Sequence, residues 1–169
     1  MEVLPDIVGP HPRAVFCGLA CAESTKVRDH YYEGPGNGFW QFLGRSGLVP
    51  GGWSAQDDKR VVEHSLALTD LVRHISTSPP TWDVEDLVAK VEDWQPEWLV
   101  FTSKTVAQGA ARVLGLRKPQ LGVAPWTLAG AGVYVLPGSS GANQRKDYDG
   151  RPHRLSWWRD LAAILGPEA

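Results

Sequence analysis

Apolar residues fall along this chain in short unbroken runs that alternate with stretches of helical spacing, a rhythm that predicts buried strands joined by helices. Met1 to Arg13, with three prolines and a glycine, reads as an extended arm. Ala14-Val15-Phe16-Cys17 is too short for a helix and passes at Gly18 into a polar loop, so it predicts a buried strand ending at a site. The loop carries Tyr31 and Tyr32 and turns through Gly34-Pro35-Gly36. Phe39, Trp40, Phe42 and Leu43 then follow at helical spacing, with Asn37 as a suitable N-cap. Asp57, Asp58 and Lys59 open a second helical pattern, and Ala67 to Val72 reads as a short strand or an irregular wall. Ser76 to Thr81 is a surface loop, and Asp83 caps a helix whose Val84, Leu87, Val88 and Val91 share one face. Trp98 to Thr102 is a buried strand, and Val106 to Leu114 a helix stopped by Gly115. Leu121 to Thr127 and Val133 to Leu136 supply the last two strands, in a hairpin-like approach, before a final amphipathic helix over Leu155 to Leu165. The class predicted is α/β, a three-layer α/β/α sandwich with a mostly parallel central sheet, in one domain spanning residues 1–169.

Composition fits one domain, because 169 residues with 43% hydrophobic content can build one multilayer core. A formal net charge of -2 gives no global attraction to phosphates, so nucleic-acid binding would need a local basic patch. Gln144, Arg145, Lys146, Arg151, His153 and Arg154 supply such a stretch. Eight tryptophans are a heavy load for this length, compatible with core packing and with base stacking. Cys17 and Cys21 form no disulfide framework or metal set, and the N-terminus has no basic region followed by an apolar run, so the chain is expected to be cytoplasmic, off the membrane and monomeric.

Cys17-Gly18, Tyr32, Pro35, Asn37, Phe39-Trp40 and, far downstream, Val135-Leu136-Pro137 with Ser140-Gly141 occur in an order that resembles the mismatch-specific uracil and thymine DNA glycosylases of the uracil-DNA glycosylase superfamily. The resemblance runs over nearly all of the chain. It implies a DNA repair glycosylase that flips uracil, or a related deaminated base, and hydrolyses its N-glycosidic bond without metal or organic cofactor. It places Tyr32 against the flipped base and makes Ser140, Gly141 and Ala142 the loop entering the minor groove, with Asn143, Gln144, Arg145 and Lys146 on the strand around it. The partner implied is DNA carrying uracil or abasic sites.

The family's first motif runs GINPG, and its asparagine positions the attacking water; in this chain the matching residue is Ala20, and Gly138 stands where the second motif carries an asparagine or histidine. Another acceptor is therefore needed. Glu23, Asp29, His30 and Glu33 are the groups available in the first loop, and backbone amides at Gly18, Leu19 and Ala20 can bond the base's oxygens. Asn37 completes the expected base pocket. Two alternatives stay open. The same pocket could bind damaged or abasic DNA with weak or no excision. A nucleotide or small-molecule hydrolase is the other, although neither GxxxxGK[ST] nor GxGxxG is present.

Overall fold

The structure, a computed structural model, describes residues 2–143 and 145–168. Six strands form one sheet in the order β3-β2-β1-β4-β6-β5. The four inner strands are β1 (Ala14–Cys21), β2 (Leu66–His74), β4 (Trp98–Phe101) and β6 (Gly132–Val135), and all their pairings are parallel. Two-residue strands, β3 (Thr81–Trp82) and β5 (Gly122–Val123), pair antiparallel at the two edges. Helices α1 (Phe39–Arg45) and α4 (Arg154–Leu165) touch each other, as do α2 (Val84–Trp94) and α3 (Lys104–Leu114).

Alternation along β1 sets the layers. Phe16 turns to the α1/α4 layer, with its ring 5.7 Å from Phe39 and 5.9 Å from Trp158, while the neighbouring Cys17 faces the opposite layer. The expected three-layer sandwich with a mostly parallel sheet is what forms. Parallel strands covered on both faces favour apolar residues at successive positions, which is why β1 reads as an apolar run and β2 as one broken within its buried part only by Thr69 and Asp70.

Several element boundaries differ from the sequence reading. β1 does not stop at Cys17; it continues to Cys21, because β2 pairs with it as far as Arg73. Ala67 to Val72 lies within the nine-residue strand β2, which begins at Leu66, rather than in an irregular wall, and the pattern opened by Asp57 is a 3-10 helix, Ala55–His64, N-capped by Ser54 with Asp57 completing a capping box. α1 starts one residue late, with Gly38 at the cap position, although the Asn37 side chain still accepts from the Phe39 N–H at 3.0 Å. Asp83 does occupy the N-cap of α2, yet its carboxylate goes to His74 Nε2 at 2.9 Å instead of to a helix amide. Leu121 to Thr127 yields only the short β5.

The chain leaves β1 toward β2 on one side, then returns past it to β4 on the other. Such a reversal opens a crevice at the C-terminal ends of the strands.

Candidate active site

β4 pairs with β1 only as far as Cys17, after which it turns away into α3, whereas β2 stays beside β1 through Cys21. The last bonds on the β4 side are made by Thr102, whose N–H reaches the Cys17 carbonyl at 3.0 Å and whose hydroxyl donates to the same oxygen at 3.3 Å. Backbone groups of alternate residues point to the same side of a strand. Cys17 bonds toward β4, so Leu19 is the next residue whose N–H and carbonyl point to the vacated side; those of Gly18 and Ala20 point to β2. A cavity of about 330 Å³ fills that space, lined by Gly18, Leu19, Tyr32, Asn37, Asp70, Thr102, Ser103 and the 138–140 loop, among others. A larger cavity, about 640 Å³, lies at the opposite end of the strands between Arg13 and Pro167, away from these groups.

Tyr32 is the hinge of this site. Its ring stacks on Phe39 with centroids 3.9 Å apart, and its hydroxyl donates to Thr102 Oγ1 at 3.1 Å. Its backbone sits at φ 57°, a left-handed conformation that costs a non-glycine residue about 1–3 kcal/mol. Burial pushes the phenol well above its ordinary pKa, so the hydroxyl stays a donor. Tyr31, in contrast, is core: it is 1% exposed and its hydroxyl bonds the Pro5 carbonyl.

Asp70 is the group that the sequence reading missed. It lies directly across from Gly18 in the β1–β2 register, its side chain is 4% exposed, and its Oδ2 accepts from Arg28 Nη2 at 2.6 Å. Burial raises its pKa and the Arg28 charge opposes that rise. Arg28 is itself held by the N-terminal arm, donating from Nε to the Glu2 carbonyl at 2.8 Å, while the Glu2 carboxylate accepts from the Cys21 N–H at 2.6 Å. A charged residue inside the apolar run Leu66 to Val72 was the available signal, since an unpaired buried carboxylate is rare. Nothing local marks Arg28 as its partner. Gly18 makes the arrangement feasible, because a Cβ there would stand 2.7 Å from both Asp70 Oδ1 and Tyr32 Oη.

Two loops close the cavity. The Gly38 N–H donates to the Ser139 carbonyl at 2.8 Å, and a Cβ on Gly141 would meet the Gly36 carbonyl at 2.8 Å, so the loop before α1 and the loop after β6 are in backbone contact. Arg154 donates to the carbonyls of Gly138 and Ser140, both at 2.9 Å, and Asn143 Nδ2 donates to Gly138 O at 2.7 Å. Arg154 and Asn143 thus brace the loop from behind. Ala142, Arg145 and Lys146 are exposed beside it, and Gln144 lies outside the described residues.

The residues expected to serve chemistry separate in space. Glu33 lines the cavity, and its Oε1 accepts from the Asp29 N–H at 2.8 Å; Asp29 itself is exposed and lines neither this cavity nor the next. His30 turns to Asp58, Nδ1 to Oδ1 3.3 Å, and lines a neighbouring cavity of about 470 Å³ with Trp40 and Trp53. Glu23 sits at the C-terminal end of β2, outside the cavity: the Ile75 N–H donates to its carboxylate at 2.8 Å and lowers its pKa to about 2. Ala20 is fully buried. Cys17 is buried, with its thiol pKa raised by that burial, and both cysteines are free. Among the described residues no three His, Cys, Asp or Glu side chains are gathered to hold a metal ion, and no helix is long and apolar enough to cross a membrane.

A mostly parallel sheet with a polar crevice at its switch point, lined by an aromatic side chain and glycine loops, defines an α/β protein. The family model of the uracil DNA glycosylase superfamily matches residues 5–162, and the chain belongs to that superfamily, whose members are DNA repair hydrolases. A solution NMR structure of a candidate uracil DNA glycosylase from Methanosarcina acetivorans is similar over 97% of both chains, at 20% identity and a TM-score of 0.59. That likeness is one of fold.

Proposed function

We propose that the protein excises uracil, or a related deaminated base, from DNA by monofunctional hydrolysis of the N-glycosidic bond, with the base held in the cavity between Tyr32 and Asp70. The observation that carries this reading is the Asp70–Arg28 pair at the end of the parallel strands. Uracil presents an imide N–H flanked by carbonyl oxygens; a carboxylate can only accept and a guanidinium can only donate, so the pair is complementary to that edge. The flipped base stacks against Tyr32, and Leu19 N–H supports a base oxygen as negative charge develops on the leaving group. Gly18 and Asn37 shape the walls. Glu33, on the lining, is the acceptor proposed to hold the attacking water, with the Asp29 amide bonded to it; Glu23 sits apart, and His30, which shares the adjoining cavity with Tyr32 and Glu33 but turns to Asp58, is given no step. Ser140, Gly141 and Ala142 face the strand, and Arg145 and Lys146 contact phosphates.

The test is single-turnover excision from oligonucleotides carrying one uracil, comparing the natural protein with Glu33→Gln and Asp70→Asn. Loss of the chemical step in the first, and of base discrimination in the second, supports the reading. Absence of base release by the natural protein, together with tight binding of abasic DNA, replaces it with a damage-binding role, which Ala20 and Gly138 favour because neither side chain can hold a water or a base.

A further inference from the structure

A second concave surface begins where the 138–143 loop ends. It is a groove of about 420 Å³ lined by Arg45, Arg145, Arg154 and Arg159 together with His153, with no aspartate or glutamate among its lining residues. In a chain of 17 cationic and 19 acidic residues, such a concentration is local. The nearby carboxylates are engaged elsewhere: Asp149 pairs with Lys104 at 2.6 Å, Asp160 accepts from Tyr134 at 2.8 Å, and Asp147 accepts from the Gly150 N–H at 3.0 Å.

Two of the arginines are already in use. Arg154 lies over the Phe42 ring at 5.0 Å and holds the Gly138 and Ser140 carbonyls. Arg145 stacks over Tyr148 at 4.9 Å, and Tyr148 is tied to the loop by donating to the Asn143 carbonyl at 3.2 Å. Arg45, in the last turn of α1, and Arg159, on α4, are exposed, and among the described residues neither has an acidic partner. We infer that this groove is a DNA-backbone track, in which Arg45 and Arg159 each take a phosphate of the strand leading away from the flipped nucleotide. The inference rests on the proposed DNA glycosylase reading and extends its footprint to the α1/α4 layer. Rigid helices set the spacing of the two charges, and two aromatic rings floor the groove.

The experiment measures equilibrium binding of DNA carrying one reduced abasic nucleotide, which sets the register of the flipped position and cannot be cleaved, by fluorescence anisotropy across a salt series, with the natural protein and Arg45→Gln/Arg159→Gln. Two DNA lengths are used, one ending at the position of the flipped nucleotide and one extending past it. Each phosphate contact contributes about 0.9 to the salt slope, so removing two lowers the slope by about 1.8; over a fourfold rise in salt the natural protein loses about 12-fold more affinity than the variant. That difference is expected on the long DNA and not on the short one, with the excision rate at saturating DNA unchanged. An unchanged slope on long DNA overturns the inference, and so does an equal loss on both lengths. If the slope falls as expected but no uracil is released by either protein, the groove stands and the glycosylase reading fails. If uracil is released and the slope is unchanged, the reverse holds. Both substitutions are at exposed positions, and circular dichroism of the variant confirms that it is folded.

Discussion

Gly18→Ala adds one methyl group at the point where the site has least room. Its Cβ would stand 2.7 Å from Asp70 Oδ1 and 2.7 Å from Tyr32 Oη, where ordinary contact begins at 3.4 Å, so each oxygen must retreat by about 0.7 Å. Neither can do so freely. Tyr32 is clamped between its Phe39 stack and its bond to Thr102, and Asp70 is fixed by Arg28 at 2.6 Å. Overpacking of this kind costs about 1–3 kcal/mol. For a domain of this size that lowers Tm by about 2–12 °C. Urea denaturation and calorimetry read the loss directly, and excision kinetics read the displaced platform. Tyr32→Phe removes one of the two obstructing oxygens, so in a double-mutant cycle it should be less harmful in the Gly18→Ala background than alone, with a coupling of about 0.5–3 kcal/mol. Full stability in Gly18→Ala, or strict additivity with Tyr32→Phe, would refute the packing described for this corner.

Three further outcomes follow from the same structure. Arg28→Ala leaves Asp70 buried without its counter-charge and is expected to cost about 3–5 kcal/mol at neutral pH. Because the folded-state pKa of Asp70 is then raised further above its unfolded value, the deficit should shrink as pH falls through that raised pKa, which a pH series of urea midpoints will show. His74 titrates above its ordinary value because the Asp83 carboxylate bonds it, with Glu23 adding to the effect; that contact therefore stabilises below the unfolded histidine pKa and is lost as pH rises through the folded one. Asp83→Asn should return the His74 titration, followed by NMR, toward the ordinary range. Phe39 is fully buried and touches Phe16, Tyr32, Trp40 and Trp158, so Phe39→Ala is expected to cost about 3–5 kcal/mol and to release Tyr32, visible as loss of near-ultraviolet circular dichroism.

Strands and helices whose apolar residues keep a clear period were legible before any coordinates. Phe39, Trp40 and Leu43 form the buried face that their spacing implied, and Gly115 ends α3 in a left-handed conformation as a C-terminal glycine does. What sequence could not supply was register. Whether β1 ended at Cys17 or Cys21 depended on how far β2 ran beside it, and pairing between residues some fifty positions apart leaves no local mark. The same holds for chemistry. Glu23 lies three residues from Ala20 along the chain, but the extension of β1 carries it past the C-terminal end of β2, where Ile75 holds it. Asp70 is distant in sequence and adjacent in space. Proximity along the chain singles out the acids of the first loop, and of those only Glu33 lines the cavity.

The N-terminal arm gives the experimenter a practical constraint. Glu2 touches the site twice without entering it, through its carbonyl to Arg28 and through its carboxylate to Cys21. Ile7 adds backbone bonds to Leu68 that seat the arm on β2. Residues normally treated as a convenient place for an affinity tag are thus part of what aims the Arg28 guanidinium. A fusion or scar placed there alters the setting of Arg28 before any designed substitution does, and measurements on such material would describe the tag as well as the pocket.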